Sequence, residues 1–207
     1  MNRTIRVLIV DDHAILRMGL ASLLSTKEGI EVIGDAEDGR TAIKLTHKLH
    51  PEVIVMDLMM PEMDGIETTA ALKRECPDAK VLILTTFGAS DGISNALNAG
   101  AKGAVMKSVA FTDLVEAIRT VADGGEYISP DILRILQEDP PTPTLSPRQM
   151  EILESMARGL SNTDIAKQLN ISVDMVREHA TQLFAKIKAA NRTEAVVIAL
   201  RKHLLKM

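Results

Sequence analysis

Short apolar runs that alternate strictly with helical patterns restrict this chain more than any other feature of it. Residues 5–10, 31–36, 53–56, 81–84 and 103–106 each have the length and apolar content of a strand. The first and fourth are continuous and β-branched, as strands buried on both faces are. Residues 13–24, 39–49, 65–74 and 91–98 lie between them with helical patterning, and 111–121 follows the last. Such alternation implies an α/β doubly wound parallel five-stranded sheet covered on both faces. Ligands of such sheets bind beyond the carboxyl ends of the strands.

The alternation ends before Asp139-Pro140-Pro141-Thr142-Pro143-Thr144. Three prolines this close neither continue a helix nor fill a central strand, so the stretch reads as an extended, semi-rigid connection. We expect a first domain at 1–122, a linker at 123–144 and a second domain at 145–207. Charge divides at the same place. Residues 1–144 carry 14 Lys and Arg against 22 Asp and Glu, whereas residues 145–207 carry 10 against 6. A basic half after an acidic one points toward a polyanion, although two solvated surfaces also differ this way by chance.

One cysteine, Cys76, excludes an intramolecular disulfide and a cysteine-based zinc site, and fits a reducing cytoplasm. The polar stretch 1–6 runs straight into an apolar strand without the pattern of a signal peptide. No apolar run approaches membrane-spanning length, so no membrane partner is expected.

Residues 145–207 read as a small all-α domain. Ser146-Pro147-Arg148-Gln149 joins an N-cap serine, a proline at the first helical position and a capping-box glutamine. Ser161 or Asn162 caps a short helix over 163–169, Ser172 caps one running to about residue 188, and Asn191-Arg192-Thr193-Glu194 caps a fourth. Only Asn170-Ile171 separates the second helix from Ser172, and two helices joined so tightly form a helix-turn-helix.

Three carboxylates fall where the parallel sheet puts its ligand site. Asp11 and Asp12 follow the first strand and Asp57 ends the third, while Thr85 ends the fourth and Lys107 the fifth. Clustered carboxylates repel unless a cation neutralises them, and hard oxygen ligands in a watery site suit Mg²⁺. A nucleophilic carboxylate, a metal, a hydroxyl and an ammonium together can receive and hold a phosphoryl group. Each element alone has an ordinary explanation: an aspartate pair as a helix cap, a threonine as turn chemistry, a lysine as a solvated edge charge.

Val10-Asp11-Asp12-His13, Asp57-Leu58-Met59-Met60-Pro61-Glu62-Met63-Asp64-Gly65, Leu84-Thr85 and Met106-Lys107 resemble the receiver domain of two-component response regulators, over roughly the first 122 residues. The resemblance implies a flavodoxin-like sheet with Asp57 as phosphoacceptor. It implies that Asp12 ligates Mg²⁺ directly, Asp11 supports it through water, and the Met59 backbone carbonyl contributes, with Thr85 and Lys107 binding phosphoryl oxygens. It also implies a sensor histidine kinase as partner. Many receivers carry Tyr or Phe three residues before the lysine as a switch. Here that position is Ala104, with Phe87 as a neighbouring substitute, and Ser108 replaces a common acidic or proline residue.

Leu145–Ala189, with Gly159-Leu160-Ser161-Asn162, Asp164-Ile165-Ala166, Val176-Arg177 and Asn191-Arg192-Thr193-Glu194-Ala195, is similar to the LuxR-type helix-turn-helix. The two domains in this order resemble the NarL/FixJ class of regulators. That resemblance implies double-stranded DNA as ligand and a homodimer when phosphorylated. The helix after Ser172 presents Arg177, Glu178, Thr181 and Gln182, suited to a major groove. Thr163 and Ser172 open helices whose backbone N–H groups suit phosphates, and Lys186, Lys188 and Arg192 would add contacts that position without specifying. As ordinary alternatives, the lysines are solvated and His179 is packed. Glu178 either accepts from a cytosine or repels phosphate. Val196, Val197 and Leu200 serve either the core or a symmetric contact.

The reading is therefore a phosphorylation-controlled transcription regulator rather than an enzyme. A flavin binder or enzyme on the same sheet would need a glycine-rich loop or aromatic stacking, and the first strand is followed by Asp-Asp-His in a chain with 2% aromatics. A single-strand or RNA binder would need stacking platforms that one Tyr, three Phe and no Trp do not supply. A regulator whose receiver serves only protein contacts is disfavoured by the intact acidic set and favoured by Ala104.

Overall fold

Strand β1 (Ile5–Val10) is followed in order by α1 (Ala14–Ser25), β2 (Ile30–Ala36), α2 (Gly39–Leu49), β3 (Val53–Asp57), α3 (Gly65–Glu75), β4 (Lys80–Thr85), α4 (Ser90–Ala99), β5 (Gly103–Met106) and α5 (Phe111–Ala122). Then come β6 (Tyr127–Ile128), α6 (Pro130–Glu138), α7 (Pro147–Ala157), α8 (Asn162–Leu169), α9 (Val173–Ile187) and α10 (Arg192–Arg201). The computed structural model describes residues 3–86, 90–141, 145–202 and 204–205, with the side chain of Arg201 left out. The chain divides into two compact units, Met1–Pro140 and Pro141–Met207.

Unit 1 is the doubly wound sheet, every neighbouring pair parallel, in the order β2-β1-β3-β4-β5-β6. Strand β3 is buried at every residue, which explains its unbroken apolar sequence up to Asp57. One core layer sets Val7, Ile9, Val53, Val55, Leu82 and Leu84 against α1 and α5. The other sets Leu8, Ile54, Met56 and Ile83 against α2, α3, α4 and α6. Aspartates start two of the helices: Asp38 accepts from the Thr41 backbone N–H at 2.8 Å, and Asp64 from that of Glu67 at 2.8 Å.

Two sequence expectations are corrected. The sheet has six strands, not five, and the segment read as linker from 123 onward holds β6 and α6, which belong to unit 1. Tyr127 N–H donates to the Lys102 carbonyl at 3.1 Å and Ser129 N–H to the Ala104 carbonyl at 3.0 Å, so β6 occupies the free side of β5. Ile132 of α6 is fully buried beneath it. The prolines at 140 and 141, not the end of α5, are where unit 1 stops, because apolar surface remains to be covered until α6 has crossed it.

Unit 2 is all helical, and every helix starts on a side-chain cap. Ser146 forms a full capping box with Gln149, and Ser161, Ser172 and Asn191 cap the next three helices. Ile152, Leu153, Ile165, Val176, Leu183, Ala195 and Ala199 form its core. Between α8 and α9, Asn170 takes a left-handed φ of 53°, and Ile171 N–H donates to the Ala166 carbonyl at 3.0 Å. That turn sets α9 across α8 in helix-turn-helix form.

Candidate functional site

The carboxyl ends of β1, β3, β4 and β5 converge because parallel register places them side by side: Val10 pairs with Met56, Asp57 with Leu84, and Thr85 with Met106. The residues just past those ends therefore share one pocket. Lys107 Nζ lies 2.8 Å from Asp57 Oδ2 and 2.6 Å from Asp11 Oδ2. Asp57 is 4% exposed and Asp11 1% exposed. Asp11 Oδ2 is buried with the Lys107 ammonium as its partner, and the second lone pair of that oxygen leaves acceptor capacity to offer another cation.

Burial pushes the Asp57 carboxyl above the usual aspartate range, against the pull of the Lys107 ammonium. Burial also works against the Lys107 charge. The hydrogen bonds to Asp11 and Asp57 outweigh it and hold Lys107 above the usual lysine value. One ammonium facing two buried carboxylates leaves negative charge over, and the half-exposed Asp12 adds more. Asp11, Asp12, His13 and Asp57 each bring a ligand atom within 4.8 Å of the others, a donor set of carboxylate oxygens and one imidazole that fits a hard divalent cation.

His13 is the member that sequence reasoning passed over as the mere start of a helix. Its Nδ1 lies 2.7 Å from Asp12 Oδ1, and its backbone N–H donates to Asp11 Oδ1 at 2.8 Å. It is the N-cap residue of α1 but makes no side-chain cap bond, and the aspartate pair does not cap that helix either. Arg17 braces the strand end by donating to the Asp11 carbonyl at 2.7 Å. Thr85 is fully buried at the end of β4, and its carbonyl accepts from the Lys107 backbone N–H at 2.7 Å. Met59 is exposed, and its backbone N–H donates to Asp57 Oδ1 at 3.3 Å. Gly65 lets α3 start directly beneath the site: a Cβ there would collide with the Asp57 carbonyl oxygen and lie 2.9 Å from Leu58 Cα. Ala104 is fully buried, Ser108 is exposed, and Phe87 lies outside the described residues.

In unit 2, α9 buries Val176, Ala180, Leu183 and Ile187 and turns Asp174, Arg177, Glu178, Thr181 and Gln182 outward. These polar side chains are held along the helix. Arg177 donates to Asp174 Oδ1 at 3.0 Å, Gln182 to Glu178 Oε1 at 3.3 Å, and Thr181 to the Arg177 carbonyl at 2.9 Å. Ser172 accepts from the Met175 backbone N–H at 3.1 Å, and Thr163 is exposed in the first turn of α8. Two cations expected at phosphates are engaged within the unit. Lys186 Nζ donates to Gln149 Oε1 at 3.0 Å, and Arg192 to the Met156 carbonyl at 2.9 Å. Lys188 closes α9 in the left-handed region at φ 56°, where glycine is favoured.

Residues 7–119 match the family model described as the response regulator receiver domain, and residues 143–199 that of the bacterial regulatory proteins of the luxR family. The chain is 37% identical to the response regulator protein VraR of Staphylococcus aureus, over 98% of this chain and 99% of that protein. Among solved structures it resembles the response regulator ChrA of a heme-sensing two-component system, at 34% identity, a TM-score of 0.59, and 98% and 99% coverage. It also resembles RcsB from Salmonella enterica serovar Typhimurium bound to the promoter P1flhDC with the phosphomimetic BeF3⁻, at 29% identity, a TM-score of 0.72, and 97% and 100% coverage.

Proposed function

The chain belongs to the two-component response regulators that join a receiver to a LuxR-type helix-turn-helix, and from that premise we propose which residues carry its phosphorylation-controlled regulation of transcription. Asp57 is the phosphoacceptor. A carboxylate oxygen of Asp57 attacks phosphorus of a phosphohistidine on a sensor kinase. The new O–P bond forms as the N–P bond breaks, and the histidine nitrogen recovers a proton from solvent. The observation that carries this reading is a buried Asp57 held 2.8 Å from Lys107, with Asp11 and Asp12 beside it, at the mouth of a parallel sheet.

Lys107 pairs with the transferred group's oxygens and Thr85 offers its hydroxyl to them. Asp12, Asp11, Asp57 and the Met59 carbonyl are proposed to hold Mg²⁺, whose bound charge offsets the repulsion between the acceptor and the incoming phosphoryl oxygens. The surplus of carboxylate charge over the single Lys107 ammonium supports a cation there.

Double-stranded DNA is the proposed ligand of unit 2. Arg177, Glu178, Thr181 and Gln182 would face base edges, while Thr163, Ser172 and Lys186 would meet phosphates. Lys186 would do so only by leaving Gln149. A phosphorylated homodimer would read two half-sites. The route from a kinase to DNA would place the protein in the cytoplasm.

Light scattering with Mg²⁺ and beryllofluoride, on wild type and Asp57→Ala, tests the reading. Dimerisation of wild type alone makes Asp57 the switch. No response in either protein favours a receiver that serves protein contacts without phosphorylation, as the missing aromatic at Ala104 would suggest.

A further inference from the structure

The turn that leaves β1 brings a nitrogen ligand to a site otherwise built of oxygens. Asp11-Asp12-His13 joins β1 to α1, and His13 stands in the N-cap position of α1 without capping it. Its ring turns toward the carboxylates instead. Nδ1 lies 2.7 Å from Asp12 Oδ1 and 3.2 Å from Asp11 Oδ1. The turn is held from two sides. The His13 backbone N–H donates to Asp11 Oδ1 at 2.8 Å. Arg17 donates to the Asp11 carbonyl at 2.7 Å and, through Nε, to Asp35 Oδ2 at 2.8 Å. His13 thus brings its nitrogen to the oxygen cluster at little cost in ordering, because the backbone beneath it is already fixed. The side chain is 70% exposed, so it fills no core, and water can serve its other nitrogen.

We propose that His13 is itself a ligand of the cation site, and that it makes the site favour a divalent cation that accepts nitrogen, such as Mn²⁺, over Mg²⁺. The proposal rests on the reading that the acidic set holds a divalent cation. Oxygens serve Mg²⁺, which gives up its waters reluctantly and gains little from an imidazole. Imidazole suits the first-row transition cations, whose affinity for sites that contain nitrogen exceeds that of hard cations of the same charge. Asp11, Asp12, His13 and Asp57 offer atoms that all lie within 4.8 Å of one another, so His13 can share a cation with the oxygens without a change of backbone. With the proton on Nδ1, the ring donates to Asp12 and Asp11 and offsets part of their repulsion. With the proton on Nε2, the same nitrogen turns its lone pair to the cation, whose charge takes over that task. The place of the ring suits both situations. Mg²⁺ is held by the oxygens alone and leaves His13 on Asp12.

The test is calorimetric titration of the full chain with Mg²⁺ and with Mn²⁺, at one pH, on wild type, His13→Ala and Asp12→Ala. Pulsed electron paramagnetic resonance of the bound Mn²⁺ is recorded in parallel, on protein carrying ordinary or ¹⁵N-labelled histidine. Wild type binds Mn²⁺ more tightly than Mg²⁺ and shows coupling of Mn²⁺ to a histidine nitrogen. His13→Ala, an exposed change that leaves the melt of unit 1 in place, loses that coupling and about tenfold in Mn²⁺ affinity, the scale on which metal sites respond to loss of an imidazole or its support. Its Mg²⁺ affinity is unchanged. Asp12→Ala loses both cations. If His13→Ala weakens Mg²⁺ and Mn²⁺ by the same factor, His13 only steadies Asp12 and the proposal is overturned. It is equally overturned if wild type binds both cations without coupling to a histidine nitrogen, and the all-oxygen reading of the site then stands. If wild type binds neither cation, or Asp12→Ala binds both as wild type does, the acidic set holds no cation and both readings fall.

Discussion

The two units hold their functional charges in opposite ways. In unit 1 two carboxylates and an ammonium are packed out of water, 2.6 to 2.8 Å apart, and fixed by strand ends that cannot move independently. In unit 2 Asp174, Arg177 and Glu178 of α9 stand in solvent and are paired three or four residues along the same helix, as Arg177 is with Asp174. A buried set of this kind interacts strongly and is costly to break, while exposed helical pairs contribute little to stability and are easily exchanged for another partner. Changes at the first site should therefore act on stability and chemistry together. Changes at the second should act on binding alone.

Five measurements would break or sharpen that contrast. Replacing Asp57 with Ala should abolish phosphoryl uptake, read as complete loss of the shifted band on a phosphate-affinity gel. Lys107→Ala should reduce uptake and also destabilise unit 1 by about 3 kcal/mol, because it strands two buried carboxylates. Urea melts would show this, with Mg²⁺ restoring part of the loss, and an unchanged melt would mean that water already screens the site. Arg177→Ala should weaken DNA binding by roughly tenfold or more with no change in melting, since its exposed pair with Asp174 is worth little. A drop in stability of unit 2 would erase the distinction between the two sites. Lys188→Gly should raise the stability of unit 2 by up to about 1 kcal/mol, by relieving a left-handed residue that carries a Cβ.

The smallest effect concerns acid. The Thr41 backbone N–H, with the Thr41 hydroxyl, holds the Asp38 carboxyl below the usual aspartate range, against a smaller opposing push from burial. Its cap on α2 thus adds stability above the ordinary aspartate value and loses it as pH falls through the lowered one. Asp38→Asn keeps the cap and should flatten that part of the acid limb, measured by thermal melts between neutral pH and the acid transition.

Much of this arrangement can be read from the amino acids, and the misses have physical causes. Five strands and nine helix positions follow from apolar runs and caps, because Ser146, Ser172 and Asn191 announce helix starts through chemistry local to a few residues. β6 is only two residues long and has no periodicity to detect. It exists because β5 had a free side. The helix after it carries Ile132, Ile135 and Leu136 at helical spacing, but it is a short helix directly ahead of the prolines, whose chemistry marks the whole stretch as a connection. At the acidic site, sequence position identifies Asp57 and Lys107 because strand ends converge. It is silent on His13, whose place depends on how the chain leaves β1. On α9 the outward residues follow from helical periodicity. That Lys186 is already bound to Gln149, 37 positions away, does not.

The strand β6 has a practical consequence. A receiver cut after residue 122, where the strand–helix alternation ends, would leave one whole side of β5 with unpaired backbone groups beside uncovered apolar residues. Open edges of that kind template pairing with other chains. Such a fragment should self-associate and come out of solution, whereas one ending at residue 140 should stay monomeric without its activator. Anyone isolating this half of the protein, or grafting a different output onto it, should make the join at the prolines.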